Sequence, residues 1–420
     1  MDSTSRKVTL RLLHAFFFFW TFLALYKFAA TLHYSLIAPL GARLLPLWIV
    51  GIVVGAESFG QTIFDVPAGY LVDRFGRKRM LFVGALALAI AGLLLTQFSL
   101  AHFILSVAFS TFGWLFFAPG ANAYVLSWAE RATSGRFLAL RDTFYSTGVV
   151  IASIVLPVVL IYSTFVMGAF IVALVLLACF ALWLAPPDQP VVHGAHILPA
   201  EPYHVKRTPL STTLKAIWRL NPASGMLCSY NFAGCIFYGS IWFVVPLVIA
   251  TQAQSGLLGL GLGIFDLSVV VLGVFIGTWV DKGDKRTLAF WGLFLFAIMA
   301  LIIGSSLGPL FLLFGFLATT GDEMTSLSLW SWLHALDKEH AHDGAVAGFV
   351  AFSEDFGYSI GPVIAGFVYE AYGPGWALAA CAIPLVLCWG FYALYARPKA
   401  LFPTSLASVP RMPMRRRHKQ

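Results

Sequence analysis

The chain has 420 residues, 59% of them apolar and only 11% charged, where a soluble globular protein carries roughly 25% charge. A water-soluble domain is excluded. The net charge of +8 is no nucleic-acid signature either, because Lys and Arg sit at the ends of apolar runs and form no solvated basic face. The five cysteines (Cys179, Cys228, Cys235, Cys381, Cys388) fall inside apolar runs without a C-x-x-C or a metal-ligand spacing. They read as core residues, so no metal and no cofactor is expected.

A helix needs about 20 apolar residues to cross the hydrocarbon core, and twelve such runs follow one another: 14–38, 47–71, 80–99, 104–128, 136–160, 163–185, 224–250, 256–280, 287–306, 309–335, 345–370 and 375–396. The first is followed by no small-residue cleavage site and reads as a spanning helix. Segment 186–222 is the longest polar stretch and holds Pro186, Pro187, Pro190, Pro199, Pro202 and Pro209. It reads as a linker. The expected organisation is a tail (1–13), a six-helix half (14–185), the linker (186–222), a second six-helix half (223–396) and a basic tail (397–420). The linker histidines His193, His196 and His204 fit a solvated segment better than a metal site. With the N-terminus in the cytoplasm, 24 of the 27 Lys and Arg residues fall on the cytoplasmic side. That bias predicts both termini inside a cell membrane.

The stretch between the second and third runs reads D-V-P-A-G-Y-L-V-D-R-F-G-R-K-R, from Asp65 to Arg79. Gly69, Asp73, Arg74, Gly76, Arg77 and Lys78 fit the pattern G-x-x-x-D-R-x-G-R-K. The pattern resembles the loop between helices 2 and 3 of the major facilitator superfamily of transporters. Physically, Gly69 would let a neighbouring helix approach, Gly76 would permit a tight turn, and the cations would hold the turn in the cytoplasm. Gly277, Asp281 and Lys282 repeat Gly69, Asp73 and Arg74 at an offset of 208 residues. Gly135, Asp142 and Gly148 recur as Gly348, Asp355 and Gly361 at 213. The resemblance implies an all-α membrane protein of twelve transmembrane helices in two pseudo-symmetric six-helix halves. It also implies a gating role for both loops, with Asp73 latching against the start of span 11.

Charges in the membrane are costly unless they face protein or water, so their positions map the interior. Spans 3, 6, 9 and 12 carry none; in the superfamily fold every third helix is peripheral. Lys27, Glu57, Asp266, Asp322 and Glu354 lie roughly 13–20 Å from the nearest span end at 1.5 Å per residue. Lys27 and Glu57 are expected to pair. The second half holds Asp266, Asp322, Glu323, Glu354 and Asp355 with no basic partner at depth, and five such carboxylates cannot all stay ionised in hydrocarbon. They are the candidate proton-coupling groups, with Asp322 and Glu323 ranked first. Candidate cavity residues are Lys27, Tyr34, Glu57, Asn122, Tyr124, Arg141, Asp142, Asn231, Tyr238 and Trp242.

No H-E-x-x-H, G-x-S-x-G or Walker sequence is present, so no enzyme activity is expected. The expected function is secondary active transport of a small organic solute by alternating access, coupled to protons, in a monomer. Export of an amphipathic or cationic compound ranks slightly ahead of uptake or facilitated diffusion of a metabolite. A non-transporting sensor or scaffold is the reading of another class.

Overall fold

The structure is a computed structural model that describes residues 16–128, 134–187, 222–251, 256–305, 307, 309–336 and 343–396. Twelve helices run through them: α1 (Phe17–Gly41), α2 (Leu47–Phe75), α3 (Arg77–Leu95), α4 (Leu100–Trp128), α5 (Ser134–Val159), α6 (Thr164–Leu184), α7 (Pro222–Thr251), α8 (Gly256–Lys282), α9 (Lys285–Ile303), α10 (Pro309–Leu336), α11 (Asp343–Tyr372) and α12 (Pro374–Ala396). Eight of them are long and apolar enough to cross a membrane on length and composition alone. The other four (α1, α8, α10 and α11) carry Lys27, Asp266, Asp322 with Glu323, and Glu354 with Asp355. The linker with its histidines and both tails lie outside the described residues, as do the loop residues 129–133.

The two halves pack alike. In the first, α1 lies against α5 and α6, α3 against α4 and α6, and α2 against α4; in the second, α7 lies against α11 and α12, α9 against α10 and α12, and α8 against α10. Glycines set these contacts by letting backbones touch. A Cβ on Gly84 would lie 2.7 Å from the Gly113 carbonyl oxygen, and one on Gly292 would lie 2.8 Å from that of Gly321. The two pairs are 208 residues apart. Likewise Gly148 of α5 abuts Ala24 O and Phe28 N of α1, and Gly361 of α11 abuts Ile236 O and Ser240 N of α7. The outer helices α3, α6, α9 and α12 turn exposed side chains such as Leu93, Leu177, Trp291 and Leu387 outward, where lipid would cover them.

The halves meet through α2–α11, α5–α8 and α1–α7. At the end of α2 remote from Gly76, the helices touch backbone to backbone: Gly51 against the Pro362 carbonyl, Gly55 against that of Ser359, and Gly366 against that of Leu47. Trp48 N donates to Glu370 Oε2 at 3.2 Å, and its ring stacks on Phe367. Towards the Gly76 end the contact thins. A Cβ on Gly69 or on Gly277 would meet nothing within 4 Å, and Tyr70 is exposed. No neighbouring helix among the described residues makes the expected close approach at Gly69.

Candidate functional site

The loop motif is tighter than its sequence suggests. Helix α2 runs on to Phe75 and α3 begins at Arg77, so Gly76 alone joins them, at φ 94°. Only glycine takes that conformation without strain. Lys78 Nζ donates to the carbonyls of Trp183 (3.2 Å) and Ala185 (2.5 Å) at the end of α6, where a cation meets the negative end of a helix dipole. Arg74 lies over the ring of Phe75. The second loop is built otherwise. Asp284 caps α9, accepting from Arg286 N, Thr287 N and Thr287 Oγ1. The Thr287 hydroxyl first, then the two backbone donors and the Arg286 charge, hold its carboxyl below the usual range. The side chains of Asp73 and Asp281 lie outside the described ones, so the latch at Asp73 stays an expectation.

A cavity of ≈ 350 Å³ opens between the halves, lined from α1 by Lys27 and Tyr34, from α2 by Glu57, from α7 by Trp242, from α8 by Asp266 and from α11 by Asp355. Lys27 does not pair with Glu57. Its Nζ stands 4.3 Å from the ring centre of Trp114 on α4 and 4.2 Å from that of Tyr145 on α5. Gly148 brings the backbone of α5 onto α1 beside Lys27, and Tyr145, one turn earlier, is thereby carried over the ammonium. A cation between two ring faces gains about 0.5–2 kcal/mol per face. Neither Glu57 nor Asp266 comes within 4.0 Å of Lys27 Nζ. Glu57, only 6% exposed, accepts from the Ser110 hydroxyl at 2.6 Å through Oε1, while its Oε2 has no partner. Asp266 accepts from Ser146 of the other half at 3.1 Å.

Below this centre, His33 is buried and its Nε2 lies 2.8 Å from Ser106 Oγ. That hydroxyl in turn donates to Ala91 O at 2.8 Å. The serine proton is thus used, and the imidazole must be the donor of the pair. Tyr34 meets Trp242 edge to face across the halves, at 6.5 Å between centroids. Asp65 of α2 and Asp355 of α11 face each other closely enough for their carboxyls to interact.

Several expected site residues sit elsewhere. Tyr124 is fully buried, stacks on Phe19 and donates to Pro186 O at 2.6 Å, so it is a packing residue and not a cavity residue. Asn122 accepts from Arg141, whose guanidinium also grips Asp142 at 2.6 Å. Asp142 is 61% exposed, which leaves this group outside the cavity lining. Asn231 is buried with its Nδ2 unpartnered and is not among the residues lining the cavity. Asp322, ranked first for proton coupling, is clamped instead: Tyr230 donates to its Oδ1 and Tyr238 to its Oδ2 at 2.8 Å. Two hydroxyl donors satisfy the carboxylate where it stands. Glu323 faces Gly273 of α8. Among the expected acids of the second half, Asp266 and Asp355 line the cavity; Asp322, Glu323 and Glu354 do not. Trp114, Tyr145, Ser110 and Tyr358 line it too and were not singled out from sequence. Among the described residues no cluster of His, Cys, Asp and Glu could hold a metal ion.

Twelve helices in two like halves, with a charged cavity where the halves meet, define the architecture of a membrane transporter. The sequence profile of the Major Facilitator Superfamily matches residues 9–252 and 225–415, and the chain belongs to that family. Among relatives, the uncharacterised MFS-type transporter Rv0849 of Mycobacterium tuberculosis is 31% identical over 122 residues, 29% of this chain and 28% of the relative. Multidrug resistance protein MdtH of Proteus mirabilis is 28% identical over 175 residues, 40% of each chain. The chain therefore aligns with less than half the length of these relatives. Two solved structures share the fold. An inward-facing bacterial homologue of the human lysosomal transporter Spinster has a TM-score of 0.68 at 12% identity, covering 94% of this chain and 98% of that one. A D-xylose–proton symporter has 0.63 at 15%, covering 89% and 97%.

Proposed function

We propose that the protein moves a small organic solute across the cell membrane by alternating access, in exchange for protons, and that the direction is export of an amphipathic compound with a cationic group. One observation carries the reading: the cavity takes charged walls from both halves, Lys27 and Glu57 from the first, Asp266 and Asp355 from the second. Any motion of one half against the other remakes that site. Close α2–α11 packing at the end away from Gly76 matches a site open on the side of the basic loop. The positive-inside rule makes that side cytoplasmic. The neighbouring carboxyls of Asp65 and Asp355 support coupling through α2 and α11. Export draws on the name of the partly matching relative MdtH.

The test is flux in proteoliposomes holding the purified full chain, with and without a pH gradient. Gradient-driven movement of an amphipathic solute carrying a cationic group that collapses with a protonophore supports the reading. In the Asp355→Asn variant the gradient-driven component should vanish while exchange of labelled for unlabelled solute persists, since exchange needs no net proton transfer. Gradient-driven accumulation undiminished in Asp65→Asn, Asp266→Asn and Asp355→Asn alike would remove proton coupling from the account.

A further inference from the structure

We infer that the occupant of the central cavity is a small zwitterion, with its anionic group on Lys27 and its cationic group between Glu57 and Asp266. The inference takes the site from the transport reading, but not direction or coupling. Two groups in the cavity wall are incompletely matched by the protein. Lys27 Nζ is held by two ring faces and makes no ion pair within 4.0 Å; the nearest carboxylate charge acting on it is that of Asp266, from beyond contact distance. Glu57, more than nine-tenths buried, lines the same cavity, and its Oε2, closed over in this arrangement, lacks any partner. A buried charge left without a partner is strongly unfavourable, and a buried acceptor left without a donor costs as well.

A ligand with a cation alone would answer Glu57 and Asp266 while facing the ammonium of Lys27 in the same ≈ 350 Å³ space. An anion alone would answer Lys27 and face two carboxylates. A molecule carrying both groups satisfies both walls, and its carboxylate forms a charge-assisted bond with Lys27. The volume lies at the lower end of the range for small-molecule sites, which suits a solute of amino-acid size. Tyr34, Trp242 and Tyr358 supply the remaining wall, so an aromatic or aliphatic body fits beside the two charges. Glu57 and Asp266 belong to different halves, so a bridging ammonium would also fasten the halves together.

The test uses three probes of one body on the purified full chain in detergent, read by thermal shift and by quenching of tryptophan fluorescence: L-phenylalanine, L-phenylalaninamide (cation only) and N-acetyl-L-phenylalanine (anion only). In the parent, the zwitterion should bind at least about tenfold more tightly than either singly charged probe, the effect of one added charge-assisted contact. Lys27→Met should erase the advantage of the zwitterion over the amide. Glu57→Gln should weaken zwitterion and amide together and leave the N-acetyl probe no weaker, since one of the two carboxylates opposing it is gone. The comparison within the parent stands even where a variant does not fold. An amide that binds as tightly as the zwitterion overturns the inference, and so does failure of all three probes to bind. Binding of the zwitterion without counterflow in proteoliposomes would instead sink the transport reading and leave the ligand class standing.

Discussion

Replacing Gly148 with Ala tests how the cavity is held. An added Cβ would lie 2.5 Å from Ala24 O, 2.9 Å from Phe28 N and 3.0 Å from Lys27 Cβ. Two of these are backbone atoms of α1 and none can swing aside, so α5 must withdraw by roughly 0.5–1 Å to reach ordinary contact. Overpacking of that kind costs about 1–3 kcal/mol. Tyr145 moves with the helix, and its ring leaves the Lys27 ammonium, now 4.2 Å away. The lost cation–π contact adds about 0.5–2 kcal/mol. At about 2–4 °C per kcal/mol for a unit of this size, the melting temperature in detergent should fall by roughly 5–15 °C. Gly69→Ala is the matched control, because its Cβ meets nothing within 4 Å and Ala is the better helix former by about 1 kcal/mol. It should melt at or above the parent. A Gly148→Ala protein melting within about 1 °C of the parent would mean that α5 is not seated on α1 as described.

Tyr238→Phe removes a hydroxyl from Asp322 Oδ2; leaving that buried oxygen short of a donor should cost about 1–3 kcal/mol in a denaturation series, with Tyr230→Phe behaving alike. Lys78→Met frees the last carbonyls of α6 and should lower stability by about 1 kcal/mol, while Lys78→Arg recovers part of it; equal melting of all three proteins would argue against the tie. Asp284→Ala removes the α9 cap at about 1 kcal/mol. The carboxyl is held below its usual value in the folded state, so its stabilisation is complete above the ordinary Asp range near pH 4 and is lost as pH falls through the lower folded value. Melting curves of parent and Asp284→Ala should therefore differ at pH 7 and converge in acid; a constant gap would refute the cap.

The twelve helices could be read from the sequence because a membrane span writes itself as an uninterrupted apolar run, and Gly76 because a turn with positive φ demands glycine. The charge map singled out Glu57 as a cavity candidate and Asp266 and Asp355 as proton-coupling candidates, and all three line the cavity. What failed were claims that need the rotation of one helix against another. Lys27 and Glu57 share a depth, yet Lys27 belongs to Trp114 and Tyr145, two rings among many in a chain that is 15% aromatic. Depth alone cannot tell which face of α1 a residue takes. Asp322 has the depth of a coupling group, but Tyr230 and Tyr238 close over it. Their spacing of eight residues puts both near one stripe of α7, the one sequence signal that could have flagged the clamp. Tyr124 resembled a cavity tyrosine because its partner, Pro186 O, lies 62 residues away across two helices.

The repeated glycines show where the halves are alike, and so where they differ becomes meaningful. Gly148 and Gly361 grip equivalent backbones, at Ala24 and Phe28 on α1 and at Ile236 and Ser240 on α7. The offset on the gripped helices is 212 residues, so Lys27 corresponds to Gly239. Gly113 and Gly321 align at 208, which sets Trp114 opposite Asp322. One half thus places a cation between aromatic faces where the other places a carboxylate between tyrosine hydroxyls. Tyr145 keeps a counterpart, Tyr358, and both line the cavity. Asp142 and Asp355 are counterparts as well, but one is spent on Arg141 while the other lines the cavity beside Asp65. A symmetric scaffold lets the halves rock about their shared contacts. Binding needs the opposite, since two equal walls would present like charges to whatever lies between them. The chemistry of the site therefore resides in the positions where the repeat breaks, and Lys27 against Gly239 is the sharpest of those breaks.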